Sequence, residues 1–378
     1  MSVEAASPLQ RLSELGQSVW IDYLSRNLLQ SGELARLVAE DAVVGVTSNP
    51  TIFQQALADG DAYDEQLRTL LSSGLGWKDI FLELACADVA AGCDLLRPVW
   101  ERTDHRDGYV SIEVDPNFAY NTSAQYEEAR RLHERIARPN LYVKIPATRA
   151  GVAAIEDSIA AGRSINVTLI FSIDRYVEVA RAYINGLVRF RAAGGDVSTV
   201  HSVASFFVSR VDTETDRRLD ALDAPADLRG KLGIANAKLA YGRYLELFSP
   251  DHRLWAELAA EGARPQRCLW ASTSTKNPAY RDVVYVEELI GPETVDTMPA
   301  ATVRAFQDHG RVAPTLEQGR PEAHRLLARL ADVGIDYDNV VATLEAKGIE
   351  KFVSAFAKLL VGLEAKEELL KAEPAATR

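Results

Sequence analysis

The sequence is poor in cysteine, in basic residues and in long apolar runs, and each scarcity excludes a class of protein. Only three cysteines, Cys86, Cys93 and Cys268, occur among 378 residues, and their spacing fits neither a zinc site nor a disulfide framework, so a reducing cytoplasm is expected. Acidic residues outnumber basic ones by 54 to 42 and the formal net charge is -12, which argues against nucleic-acid or anionic-membrane partners. No apolar run is long enough to cross a bilayer, and the N-terminus lacks the apolar segment of a signal peptide.

Sequence signatures of several common site types are also missing. The HExxH spacing of a metalloprotease, the GxSxG of a serine hydrolase and the glycine-rich phosphate loop of an NTPase do not occur, so no metal site is expected. No GxGxxG follows the first strand candidate, which makes a doubly wound open sheet the weaker of two structural alternatives.

The pattern that is present alternates short strand-like segments with longer helical ones. Eight strand candidates occur, at residues 19–24, 43–48, 109–115, 141–147, 165–171, 200–207, 267–273 and 294–298. Amphipathic helical stretches separate most of them, at residues 32–40, 78–100, 124–137, 151–161, 174–193 and 226–248. Because eight parallel strands close a barrel, the pattern predicts an α/β protein with a (β/α)8 TIM barrel.

The C-terminal part of the chain changes to an all-helical pattern, at residues 318–333, 337–346 and 348–371. These segments predict additional C-terminal helices that cap the barrel and do not form a second domain. We therefore expect one domain over residues 1–378, with the barrel at about 18–312 and the helical cap at about 313–372. Periodicity does not say whether the last helix covers the barrel mouth or forms a subunit contact, and it leaves a monomer and a homodimer open.

Polar or charged residues occur in six candidate strands that should otherwise be almost wholly apolar, at or near their C-terminal ends. Since alternate residues of a strand point the same way, Asn166 and Thr168 share a face, as do Ser205 and Phe207. Catalytic groups of barrel enzymes lie at this rim. The candidates are Asp22, Asn49, Glu113, Lys144, Asn166, Thr168, Ser205, Phe207 and Arg210.

Each of these residues also has a purely structural interpretation. Asn49 precedes a proline and could cap a helix, Thr168 could reflect β-propensity, and Arg210 could form a surface ion pair with the acidic residues that follow it. Lys144 is the hardest to explain structurally, because it lies between Val143, Ile145 and Pro146 and lysine is rarely buried without a partner.

A buried lysine suits one kind of chemistry. A lysine that loses hydration in an apolar pocket has a lowered pKa, and its amine form attacks a carbonyl to give an imine. Breaking a C–C bond through that imine also needs proton shuttles, and two carboxylates in one pocket can divide the work. Asp22 and Glu113 are the candidate shuttles for Lys144, and Thr168 could position a water. Hydrogen bonds to a polyhydroxylated substrate would suit Asn49, Asn166 and Ser205. A phosphate group on that substrate would suit Arg210, Ser272 and Lys276.

Four segments resemble a known family. Residues 45–53 (GVTSNPTIF) and 142–148 (YVKIPAT) resemble the transaldolase signature and its lysine segment, while residues 165–172 (INVTLIFS) and 203–210 (VASFFVSR) resemble its fifth and sixth strands. The match runs in order from about residue 18 to 300, and the overall length resembles the longer bacterial subgroup. The resemblance implies a barrel like that of the class I aldolases.

The same resemblance implies a role for each residue. Lys144 would form the imine, Asp22 would handle the donor hydroxyl proton, and Glu113 with Thr168 would hold the water of imine formation. The substrate-binding set would be Asn49, Asn166, Ser205, Phe207, Arg210, Ser272 and Lys276. The sequence departs from the family pattern at Phe206, where a small residue or proline is common, and at Lys276, where arginine is common.

The implied reaction belongs to the pentose phosphate pathway and uses no cofactor. Its donor would be sedoheptulose 7-phosphate or fructose 6-phosphate, and its acceptor glyceraldehyde 3-phosphate or erythrose 4-phosphate. Two alternatives remain: an aldolase that releases dihydroxyacetone from fructose 6-phosphate, and a non-catalytic barrel that binds sugar phosphates. Phe207 favours transfer over the aldolase, whose members carry tyrosine there, and a binder would not need the reactive set of Asp22, Glu113 and Lys144.

Overall fold

Parallel strands form a closed barrel in this protein. The structure is a computed structural model that describes residues 6–48, 50–58 and 60–372. Neighbouring strands pair in chain order, and the last pairs with the first. The strands are β1 (Gln17–Ile21), β2 (Val43–Val46), β3 (Tyr109–Glu113), β4 (Leu141–Pro146), β5 (Ile165–Ile170), β6 (Ser202–Phe207), β7 (Arg267–Ala271) and β8 (Thr294–Met298). The predicted (β/α)8 barrel is confirmed.

Helices surround the barrel and extend beyond it. They are α1 (Pro8–Glu14), α2 (Arg26–Gln30), α3 (Glu33–Glu40), α4 (Pro50–Ala58), α5 (Asp64–Leu71), α6 (Trp77–Arg102), α7 (Thr122–Ile136), α8 (Arg149–Ala160), α9 (Ile173–Ala192), α10 (Ser209–Ala221), α11 (Leu232–Leu247), α12 (Arg253–Ala260), α13 (Val284–Glu287), α14 (Ala300–His309), α15 (Arg320–Asp332) and α16 (Tyr337–Ala372). In the part of the chain that the structure describes, no helix combines the length and apolarity needed to span a bilayer.

The bounds predicted for the first strand and for the helix at 226–248 differ from those in the structure. The first strand runs from Gln17 to Ile21, so Asp22 follows the strand and is not part of it. The helix predicted at 226–248 is interrupted: a single 3-10 turn at Ala226–Leu228 precedes α11, and Gly230 between them has a φ of 67°. That left-handed backbone is available to glycine without steric cost, and it separates the turn from the helix.

The connection from β4 to α8 requires a glycine. Thr148 caps α8, and its hydroxyl accepts a hydrogen bond of 2.9 Å from the backbone N–H of Gly151. A Cβ at Gly151 would lie 1.8 Å from the carbonyl oxygen of Pro146, so any larger residue would push the helix away from the strand. This close turn fixes the C-terminal end of β4, the strand that carries Lys144.

The C-terminal helix is longer than the sequence pattern indicated. Two helices were expected at 337–346 and 348–371, yet α16 runs without a break from Tyr337 to Ala372. Gly348 lies inside it because the helix passes close to the barrel there: a Cβ at this position would meet Leu169 at 3.1 Å and Phe171 at 3.4 Å. The glycine therefore permits close packing of α16 on the end of β5.

A network of buried polar side chains closes the opposite, N-terminal end of the barrel. The carboxylate of Asp107 accepts hydrogen bonds from Ser18 Oγ at 2.8 Å and from Trp20 Nε1 at 3.1 Å. The guanidinium of Arg267 donates to Asp107 at 2.9 Å, to Ser18 at 2.7 Å and to the backbone carbonyl of Arg106 at 2.6 Å. These contacts join β1, β7 and the segment before β3 far from the C-terminal rim.

A second buried carboxyl lies within the barrel wall, at Asp296 of β8. Its side chain is completely buried, and burial raises its pKa to about 8 even though the Thr273 hydroxyl donates to Oδ1 at 3.1 Å. Oδ2 has no hydrogen-bond partner among the described residues. At neutral pH this carboxyl is therefore mainly in its uncharged, protonated form.

Stability should fall with rising pH because of Asp296. The unfolded pKa of an aspartate is about 3.9. Since the folded pKa is higher, the native state holds the proton longer, so this stabilisation is complete below about pH 4 and is lost as the pH rises through 8. Asp296→Asn keeps the uncharged form, and we expect it to gain on the order of a few kcal/mol relative to the parent protein between pH 5 and 8.

Urea unfolding at pH 5, 6.5 and 8 measures this effect. Asp251→Asn, at an exposed position, serves as the control because it should leave the pH dependence unchanged. A difference between Asp296→Asn and the parent that stays constant with pH would contradict a protonated Asp296 in the folded state.

Candidate active site

A buried lysine and a buried carboxylate meet at the C-terminal ends of β3 and β4. The parallel register pairs Glu113 with Lys144, which brings the two side chains together. Lys144 Nζ lies 2.7 Å from Glu113 Oε1 and donates to the backbone carbonyl of Ser48 at 3.2 Å. The two side chains are only 7% and 8% exposed. The amine therefore lies in the barrel interior and not in bulk solvent.

The electrostatic environment of Glu113 favours its protonated form. Burial raises the pKa of this carboxyl, and the nearby charge of Asp22 raises it further. The opposite charges of Lys144 and Arg210 act in the other direction. A carboxyl whose pKa is raised by burial and that lies 2.7 Å from an amine suits proton transfer between the two groups.

A cavity of about 240 Å³ opens at the same end of the barrel, and we call it the mouth cavity. It exposes Lys144 to a small polar ligand. Its lining includes the predicted residues Asp22, Lys144, Thr168, Ser205, Phe207, Arg210, Ser272 and Lys276. Glu113 is behind Lys144 and lines a separate cavity of about 30 Å³ on the side of α6.

Threonine hydroxyls hold Asp22 in position. Thr47, just after β2, donates from its Oγ1 to Asp22 Oδ1 at 2.9 Å. The same hydroxyl is 2.8 Å from the hydroxyl of Thr297 on β8. Three neighbouring strand ends, β8, β1 and β2, thereby fix the orientation of one carboxylate in the mouth cavity.

Polar groups deeper in the barrel are mostly satisfied by one another. The side-chain amide of Asn166 donates to Ser111 Oγ at 3.1 Å, and its oxygen accepts a 2.7 Å hydrogen bond from Ser205. Asn166 is fully buried and does not line the mouth cavity. Thr168 differs, since its buried Oγ1 has no hydrogen-bond partner among the described residues. Its hydroxyl is therefore available to a water or a substrate.

The backbone is strained at two positions beside the cavity. Leu169 has a φ of 58°, and the pairing of β5 with β6 shifts register between Val167 and Ile170. Ser272, directly after β7, has a φ of 57°. Left-handed backbone at residues other than glycine is uncommon and tends to occur at functional sites.

Basic side chains lie on the outer side of the mouth cavity. The guanidinium of Arg210 sits over the ring of Phe207 at 4.8 Å, and burial lowers the pKa of Arg210. Lys276 donates to Ser274 Oγ at 2.8 Å; burial, and then the charge of Arg210, lower the pKa of this ammonium. The charge of Arg210 thus disfavours that of Lys276, and two basic side chains held in one cavity form a site for an anion.

Most of the site residues predicted from the sequence therefore lie close together at this end of the barrel. The exceptions are Asn166, which is bonded inside the barrel, and Asn49, which lies outside the described residues. Among the described residues, no cluster of three or more histidine, cysteine, aspartate or glutamate side chains is arranged to hold a metal ion.

Sequence reasoning missed the part of the cavity formed by α16. Lys351 and Phe352 line the mouth cavity together with Lys144 and Arg210. It also missed Thr47, whose hydroxyl donates to Asp22, and Thr297, whose hydroxyl contacts that of Thr47 because the barrel closes. The one signal for α16 was the presence of a lysine and a phenylalanine on a helix expected to cap the barrel.

Comparison with known proteins identifies the family of the chain. Residues 19–363 match the model of the family described as "Transaldolase/Fructose-6-phosphate aldolase". A "Transaldolase" of Thermobifida fusca is 51% identical over 94% of this chain and 96% of its own length. Proteins called "Transaldolase 2" from Streptomyces avermitilis and a Nostoc species are 48% and 46% identical, covering 96% and 97% of this chain and 98% and 99% of their own.

The fold, the buried lysine of β4 and these matches together define the class. The chain belongs to the transaldolase/fructose-6-phosphate aldolase family. Within that family it is an enzyme with transaldolase activity, as the sequence predicted.

Proposed function

We propose that the chain transfers a dihydroxyacetone unit from a ketose phosphate to an aldose phosphate through an imine on Lys144. The donor is sedoheptulose 7-phosphate or fructose 6-phosphate, and the acceptor is glyceraldehyde 3-phosphate or erythrose 4-phosphate. One observation carries the proposal: a buried amine at the mouth of the barrel lies 2.7 Å from a buried carboxylate and opens into a cavity lined by a second carboxylate and by cations.

Imine formation uses the Glu113–Lys144 pair. The uncharged form of an amine is the nucleophile. As Lys144 bonds to the ketone carbon, one N–H proton passes to the ketone oxygen to give the carbinolamine, and Glu113, whose pKa is raised by burial, holds a further proton. Glu113 then donates that proton to the departing hydroxyl of the carbinolamine, which leaves as water. The unpartnered hydroxyl of Thr168 binds this water, and the same groups return it when the imine is hydrolysed.

Cleavage of the C–C bond uses Asp22. The carboxylate accepts the proton of the donor hydroxyl next to the bond that breaks, the aldose leaves as an aldehyde, and the electron pair moves to the imine nitrogen to give an enamine. Thr47 keeps the carboxylate oriented during this step. When the acceptor aldehyde arrives, the enamine carbon attacks it and Asp22 returns the proton to the new hydroxyl.

Substrate binding is divided between hydroxyl and phosphate groups. We assign binding of the sugar hydroxyls to Ser205 and Asn49. Asn166, which accepts a hydrogen bond from Ser205, takes part through that contact. The phosphate is assigned to Arg210, Ser272 and Lys276, two cations and a hydroxyl at one end of the mouth cavity. The ring of Phe207 packs against the guanidinium of Arg210. It also places an apolar surface beside the enamine, which favours transfer of the dihydroxyacetone unit over its release.

Three broader features stay predictions: a cytoplasmic location, a monomer or homodimer, and catalysis without a cofactor. We also propose that residues 1–378 form one domain. The packing of α16 on α4, α6 and β5 supports this for the described residues, because it joins the helical cap to the barrel wall.

Borohydride trapping tests the proposed function. Incubation with fructose 6-phosphate followed by reduction should add the mass of a reduced dihydroxyacetone unit to the peptide that contains Lys144, since borohydride reduces an imine to a stable amine. An active enzyme with no added mass at Lys144 would exclude the mechanism. Rapid dihydroxyacetone release without an acceptor aldehyde would instead identify an aldolase.

A further inference from the structure

The C-terminal helix contributes a third cation to the mouth cavity. Lys351, in the middle of α16, lines the same cavity as Arg210 and Lys276, although it lies far from both in sequence. Asp22 is the carboxylate that lines this cavity with them, and its charge favours the charged forms of Arg210 and Lys276. Since acidic residues outnumber basic ones in this chain, three clustered basic side chains beside one carboxylate indicate a site for an anion.

Charge repulsion within this cluster lowers the pKa of both lysines. The charge of Arg210 is the main cause that lowers the pKa of Lys351, followed by burial and by the charge of Lys276. The charge of Arg210 also lowers the pKa of Lys276. Bringing three like charges together costs free energy in the empty cavity, and a dianion bound among them would offset that cost.

The helix also fixes the direction of Arg210. Phe352 follows Lys351 on α16, and its ring lies 6.0 Å from the Arg210 guanidinium, with Phe207 at 4.8 Å. Close packing of Gly348 against Leu169 sets the distance of this part of α16 from the barrel. One turn of helix thus supplies both a charge and an aromatic contact to the anion site.

We propose that Lys351 is a specificity residue that binds the phosphate of the sugar-phosphate substrates together with Arg210 and Lys276. This inference rests on the proposed function, because it concerns the substrate of the same cavity. It adds a ligand from the C-terminal helix to a site that the barrel loops otherwise form. The recognised chemistry is a phosphate monoester, which carries roughly −1.5 to −2 charges at pH 7.

Lys351→Met tests the proposal, and Lys358→Met is its matched control. Lys358 is exposed on the same helix, two turns further along, and does not line the mouth cavity, so its replacement changes the net charge equally. We expect Lys351→Met to raise the inhibition constant of inorganic phosphate and the KM for fructose 6-phosphate about tenfold, as for loss of one charge-assisted hydrogen bond. The kcat and the KM for unphosphorylated dihydroxyacetone as donor should stay within about twofold.

One further variant and one salt condition sharpen the test. Lys351→Arg keeps the charge and should restore most of the phosphate affinity, whereas loss of a merely structural side chain would not be rescued in this way. If Lys351→Met behaves like Lys358→Met in phosphate inhibition, the proposal is wrong. An effect on kcat/KM that vanishes at 0.5 M salt, with unchanged phosphate inhibition, would also overturn it, because it would indicate long-range attraction without contact.

Failure of this inference is separable from failure of the proposed function. Trapping of dihydroxyacetone by borohydride on Lys144 reports the imine and does not need a phosphate. Trapping in the parent protein, combined with unaltered phosphate inhibition in Lys351→Met, would overturn only the role of Lys351. Absence of trapping, combined with weakened phosphate inhibition, would overturn only the imine.

Discussion

Lys144→Met is expected to lower kcat on the order of 10⁴-fold or more and to abolish borohydride trapping. Methionine preserves the length and the apolar stem of lysine, so it fills the same space, but it has no amine with which to form an imine. The Lys144 side chain is 7% exposed and lies 2.7 Å from Glu113. Its loss leaves an uncompensated carboxyl, which can take up a proton because burial already raises its pKa. The fold should therefore survive the substitution.

Kinetics, trapping and thermal unfolding together check this expectation. Lys238→Met is a suitable control, because Lys238 is also buried and pairs with a carboxylate, Glu288 at 3.1 Å, but it lies on α11 outside the mouth cavity. The control should keep both turnover and trapping. Substantial turnover in a folded Lys144→Met protein would mean that another group performs the chemistry.

Arg267→Met is expected to cost about 3–5 kcal/mol of stability, the largest structural effect that we predict. Arg267 and Asp107 are 5% and 6% exposed and lie 2.9 Å apart. Removing the guanidinium leaves the Asp107 carboxylate buried without its opposite charge, although Ser18 and Trp20 still donate to it. A buried charge that loses its partner is destabilising far beyond the value of the bond itself.

Chemical unfolding monitored by tryptophan fluorescence measures the loss. Arg253→Met is the control, since Arg253 is 90% exposed and its pair with Glu257 should contribute at most about 1 kcal/mol. The double variant Arg267→Met/Asp107→Asn removes both charges and should recover part of the stability. Because this network lies at the N-terminal end of the barrel, the kcat of the folded fraction should change little. An Arg267→Met protein as stable as the control would contradict the prediction.

The fold was largely predictable because strands and helices differ in their hydrophobic period. Lys144 was predictable for a related reason: a charge in a segment that must be buried needs an explanation, and imine chemistry supplies one. The same criterion applies to Arg267 and Asp296, two further buried ionisable residues of the barrel strands. The expectation that catalytic groups lie at the C-terminal rim does not extend to either of them.

Contacts that depend on closure of the barrel could not be predicted. The pairing of Glu113 with Lys144 requires the register of β3 and β4, and the bond from Thr47 to Asp22 requires neighbouring strand ends. The hydrophobic period of a helix shows which of its sides is apolar but not which end of the barrel it crosses. The place of Lys351 in the mouth cavity could therefore not be predicted. Glycine is a poor helix former, so the sequence predicts that the C-terminal helix is interrupted just before Gly348. In the structure, close packing of Gly348 on the barrel compensates for its low helix propensity.

The position of Lys351 and Phe352 after all eight barrel strands affects when the mouth cavity is completed during synthesis. A nascent chain that has left the ribosome as far as Met298 contains all eight barrel strands and Lys144, yet it still lacks one wall of the mouth cavity. Translation of α16 then adds that wall as the helix packs against the end of β5. Competence to bind a sugar phosphate should accordingly arise only once α16 has been translated, after the barrel itself can close.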